Sequence, residues 1–88
     1  MTVFEKVQQI IAEGTDADVS IITPGAKLLG GRLYVSLDLE EGIMRCEEEF
    51  GIEIPDEETS LMDNTVGALV RLIENKLRDK PLRPGWLD

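Results

Sequence analysis

Val35-Ser36-Leu37-Asp38-Leu39-Glu40-Glu41-Gly42-Ile43-Met44-Arg45-Cys46-Glu47-Glu48-Glu49-Phe50, running on into Gly51-Ile52-Glu53-Ile54-Pro55-Asp56-Glu57-Glu58, is the stretch on which the fold turns. At about 100° per residue, Leu39, Ile43, Cys46 and Phe50 gather into one apolar stripe, which predicts a helix from about Ser36 to Phe50 packed through that stripe. Gly51 is placed to end it, because glycine takes the left-handed conformation that closes a helix without a Cβ penalty. Ile52, Ile54 and Pro55 then lead into a short helical turn near Asp56 to Leu61, whose three leading acids suit the positive end of its dipole.

Upstream, Val3, Val7, Ile10 and Ile11 mark one face of a first helix. Thr2 and Glu5 are spaced as a capping box and Gly14 is the expected terminator. Residues 14 to 35 read as a long connection broken by Thr23-Pro24-Gly25 and Gly30-Gly31, with the apolar side chains of Val19-Ser20-Ile21-Ile22 expected to tuck against the bundle. Downstream, Asn64 or Thr65 caps a last helix carrying Val66, Leu69, Val70, Ile73 and Leu77 on one face and Lys76 and Arg78 near its end. The expected organisation is one helical domain over residues 1–78 and a flexible C-terminal tail over 79–88, where Lys80-Pro81-Leu82-Arg83-Pro84 cannot continue a helix.

With 88 residues, the chain is one small domain with a modest core. Nine Lys and Arg against eighteen Asp and Glu give a net charge of −9. Residues 38 to 58 hold ten of the acids against one base, Arg45. Such a field excludes nucleic acid, whose phosphates need cationic neighbours, and favours basic protein partners. There is no histidine and one cysteine, Cys46. That removes disulfide frameworks, zinc clusters and His-based catalysis, and no metal site or enzymatic activity is expected. No run reaches the about 20 apolar residues needed to cross a bilayer, so membrane insertion is not expected. Glu5 stands where a signal peptide would carry its basic and apolar regions, and a cytoplasmic monomer is the expectation.

The side of the second helix opposite the stripe carries Leu37 and Met44 ringed by Glu40, Glu41, Glu47 and Glu48. One reading is a docking patch with an apolar centre and a charged rim; the other is an ordinary solvated face. Ser36 likewise reads either as a simple N-cap or as a hydroxyl poised at a helix N-terminus, where backbone N–H groups favour a phosphodiester. Cys46 on the core stripe, followed by three glutamates, reads as a small hydrophobe rather than a nucleophile.

The run Glu47 to Glu58, the Thr23 to Ser36 spacing, the Ser36-Leu37-Asp38 start and Thr65-Val66 together resemble the bacterial acyl carrier proteins over most of residues 2 to 77. The resemblance implies an all-α four-helix bundle of acyl-carrier type with a long first loop and a short third helix. It implies a 4'-phosphopantetheine arm on Ser36, transferred from coenzyme A by a phosphopantetheinyl transferase, with acyl groups held as thioesters. Asp38, Glu41, Met44, Glu47 and Glu48 match positions such carriers present to acyl-transferring and chain-extending enzymes with basic docking patches. The approach to the serine departs from the family's Leu-Gly-x-Asp-Ser-Leu, reading Arg32-Leu33-Tyr34-Val35-Ser36-Leu37. Gly42 also replaces an apolar residue, and with Cys46 it is expected to leave space beside the core stripe. The alternative reading is a carrier-like interaction module that is never modified and uses only its acidic second helix.

Overall fold

Thr2 starts the first helix as the sequence predicts: its hydroxyl accepts from the Glu5 N–H and its own N–H donates to the Glu5 carboxylate, both at 3.1 Å. The computed structural model describes residues 2–30 and 36–79, with the side chains of Ser36, Leu37 and Asp79 outside the description. Residues 80–88, the expected tail, lie outside it as well. The described residues form four helices and no strand: α1 (Val3–Thr15), α2 (Ser36–Phe50), α3 (Asp56–Leu61) and α4 (Val66–Asp79). This is the all-α, four-helix architecture with a long first connection and a short third helix.

The core is built from aliphatic side chains at helical spacing. Val7, Ile10 and Ile11 of α1 meet Val66, Leu69, Val70 and Ile73 of α4, while α2 contributes Cys46. Leu39, Ile43 and Phe50 are only half-buried against that core. Each fully buried Ile or Leu contributes about 1.5–3 kcal/mol, so α1 and α4, with Ile22 and Leu28 of the connection, supply most of the apolar burial. Between α1 and α2, Lys6 reaches Glu49 at 2.6 Å and Arg45 reaches Glu13 at 2.7 Å. These pairs are exposed and serve register more than stability.

Two expectations are corrected. The first helix does not stop at Gly14; it runs to Thr15 and closes through Asp16 in the left-handed conformation (φ 57°). Thr15 makes this possible, its hydroxyl donating to the Ile11 carbonyl at 2.7 Å and accepting from the Ala17 N–H, and Asp tolerates that backbone better than most side chains. In the connection, Ile22 alone of Val19-Ser20-Ile21-Ile22 is buried. Val19–Ile21 form one 3₁₀ turn capped by the Asp18 carboxylate on the Ser20 N–H, which turns Val19 and Ile21 outward.

Beyond that turn the connection binds α4. The N–H groups of Val66 and Gly67 donate to the carbonyls of Ala26 (2.9 Å) and Pro24 (2.8 Å), and Lys27 pairs antiparallel with Thr65. The loop thus satisfies donors that a helix N-terminus otherwise leaves to water. Thr65 is the cap, its hydroxyl accepting from the Ala68 N–H at 3.1 Å.

Candidate functional site

Ser36 is the first helical residue of α2, so its backbone belongs to the helix's opening turn, where N–H groups have no partner within the helix. From that turn α2 presents a row of acids. Asp38, Glu40, Glu41 and Glu48 are exposed, and Met44 is 57% exposed among them. Five of the seven residues expected at a docking face therefore come together on solvent-facing α2. Leu37's side chain falls outside the described residues.

Glu47 has a different place. It is half-buried, and its carboxylate accepts from the Ile54 N–H at 2.8 Å. The same residue's carbonyl accepts from Ile52 N–H at 3.1 Å across Gly51 (φ 64°), the six-to-one bond of a Schellman close. Backbone and side chain of one residue thus hold the α2–α3 turn. Among the acids that the sequence groups at a rim, Glu47 is the one the fold itself uses.

Between α2 and α3 lies an open cleft of about 490 Å³, lined on the α2 side by Leu39, Ile43 and Met44 and across from them by Leu29, Ile54 and Thr59. Glu40, Glu47 and Asp56 stand around it. Space beside the core stripe was expected at Gly42 and Cys46, yet neither lines this cleft; Gly42 is itself buried and Cys46 is 1% exposed. Burial pushes the Cys46 thiol up to about 12, so it stays protonated and serves as packing. The cleft's far wall was not legible as a site. Leu29 and Thr59 belong to a loop and to a six-residue helix, where no periodicity long enough to read assigns a face.

Among the described residues no group of three or more His, Cys, Asp or Glu is arranged to hold a metal ion, and no helix is long and apolar enough to cross a membrane. The site offers a hydroxyl-bearing residue at a helix start, an acidic flank and an apolar cleft beginning one turn further along. Such an assembly can hold and present a group.

No protein-family model matches the chain. It is 45% identical over 78 residues to the acyl carrier proteins of Helicobacter pylori strains G27, HPAG1 and ATCC 700392 / 26695, an overlap covering 88% of this chain and 99% of each relative. At that identity and over that span, this chain belongs to the acyl carrier protein family, whose members are carriers and not enzymes.

Proposed function

We propose that this chain carries acyl groups as thioesters on a 4'-phosphopantetheine arm joined to Ser36 by a phosphodiester. The observation that carries the reading is the position of Ser36 at the start of α2, with the apolar cleft opening at Leu39, one helical turn further on. The residues present fit such an arm. N–H groups at a helix start have no partner within the helix and favour a negative phosphodiester, and the cleft offers an apolar chain a place out of water. The arm supplies the thiol that binds the acyl group. The chain's own residues bind, orient and present.

On this reading a phosphopantetheinyl transferase loads Ser36 from coenzyme A. Acyl-transferring and chain-extending enzymes of fatty-acid, polyketide or specialised-lipid synthesis then meet α2 through basic patches. Asp38, Glu40, Glu41 and Glu48 steer that encounter, with Leu37 and Met44 as the apolar contacts. Glu47 contributes both to this rim and to the α2–α3 turn. The chain acts as a monomer in the cytoplasm.

The test is intact mass after incubation with coenzyme A and a broad-specificity transferase. A gain of one phosphopantetheine, absent in Ser36→Ala, is expected. Val35→Asp, which restores the acid that the family pattern places before the serine, is expected to speed the gain. No gain in either the natural chain or Val35→Asp would overturn the reading in favour of an unmodified docking module.

A further inference from the structure

Leu29 is held in an unusual way. Its side chain lines the cleft and is half-buried, so packing alone does not fix it. Its backbone is fixed instead by one side chain. The Leu29 N–H donates to Asn64 Oδ1 at 2.8 Å, and Asn64 Nδ2 donates to the Leu29 carbonyl at 2.6 Å. Asn64's own carbonyl accepts from the Leu28 N–H at 3.3 Å. The pairing of Lys27 with Thr65 is thereby extended by two residues, the last rung being made by an amide side chain.

An amide carries an acceptor oxygen and a donor nitrogen side by side, so it can satisfy a backbone donor and acceptor together. Aspartate would keep the acceptor and lose the donor; alanine would lose both. Gly30 follows with φ 77°, a conformation that favours glycine, and the space around its α-carbon is open. Leu28, on the other side of the rung, is fully buried and cannot move without opening the core. The wall of the cleft is therefore anchored on one side by Leu28, and at Leu29 itself by Asn64.

We propose that Asn64 is a positioning residue that latches the Leu29 wall over the α2–α3 cleft and so sets how well an acyl chain in the cleft is shielded. This rests on the carrier reading for the identity of the cargo, whereas the latch itself is a property of the unmodified chain. Opening breaks two hydrogen bonds at an exposed position, which makes the latch breakable without unfolding the bundle.

The experiment has two arms. In the unmodified chain, Leu29 amide hydrogen exchange is expected to be about tenfold faster in Asn64→Ala than in the natural protein, and intermediate in Asn64→Asp. In chain loaded from octanoyl-coenzyme A, cleavage of the thioester by hydroxylamine is expected to quicken in the same order. Thr65→Ala, which removes the α4 cap beside Asn64, supplies the structural control. It is expected to lower the melting temperature while leaving both readouts near the natural values. Unchanged Leu29 exchange in Asn64→Ala overturns the latch, as does thioester cleavage that rises equally in Thr65→Ala. If Ser36 takes no arm, the carrier reading fails, and Leu29 exchange alone decides the latch.

Discussion

The carbonyl oxygen of Pro24 lies 2.8 Å from the amide nitrogen of Gly67 and would lie 2.9 Å from a Cβ built there. The loop approaches the start of α4 so closely that only a residue without a side chain fits. Gly67→Ala, which in an exposed helix would stabilise by about 1 kcal/mol, is therefore expected to destabilise here by about 1 to 2 kcal/mol, because the oxygen that must move is backbone. Urea unfolding measures it, and an increase in stability would contradict the close approach.

Cys46 is expected to be inert in the folded chain. Burial holds its thiol at about 12 against an ordinary 9.0, leaving roughly a thousandfold less thiolate at mildly alkaline pH. Iodoacetamide should label the native protein slowly and the denatured protein at the rate of a simple thiol. Equal rates would mean that the α1–α2–α4 interior opens freely.

Glu47 and Glu48 are neighbours with separable roles. Glu47→Ala removes the acceptor for the Ile54 N–H and is expected to cost about 1 kcal/mol of stability, with faster exchange of the Ile54 amide. Glu48→Ala, on the exposed face, is expected to leave stability within about 0.5 kcal/mol. A docking assay on Glu47 variants therefore mixes lost contact with a loosened α2–α3 turn, and a comparison of the two melting temperatures separates them.

The carboxyl of Glu5 is held below its ordinary 4.5, chiefly by the bond from the Thr2 backbone and then by the Thr2 hydroxyl; Asp18 is held below its ordinary 3.8 in the same way by Ser20. A carboxyl with a lowered folded value favours the native state above its ordinary value and loses that contribution as pH falls through the folded one. The double variant Glu5→Gln, Asp18→Asn is expected to show a shallower fall in stability from neutral to acid pH. An unchanged slope in urea titrations across that range would contradict these caps.

Much of this fold is legible because its rules are local. Thr2 and Glu5, Gly51, Thr65 and the aliphatic faces of α1 and α4 announce themselves by spacing alone, and each does in the structure what that spacing predicts. What the spacing leaves out is long-range. The Pro24–Gly67 approach, the Asn64–Leu29 pairing and the Glu47–Ile54 bond join residues through hydrogen bonds that no periodicity encodes. Asn64 shows the limit well. Sequence weighs it against Thr65 as a helix cap, and the structure gives the cap to Thr65 while Asn64 reaches across 35 residues. Asp16 shows another: a glycine two positions earlier is the better terminator by propensity, and a threonine side chain overrides it.

No side chain of α3 is buried, Leu61 is 87% exposed, and the helix is tethered at its approach by Glu47 to Ile54 and within it by Lys76 to Glu58 at 2.5 Å. One wall of the cleft thus stands apart from the packing that keeps the bundle folded. Capacity and foldedness become separate quantities in such a molecule. Substitutions on α3 can change the room available between the helices while α1 and α4 go on holding the structure, so a lineage of such chains could change what it holds without relearning how to fold.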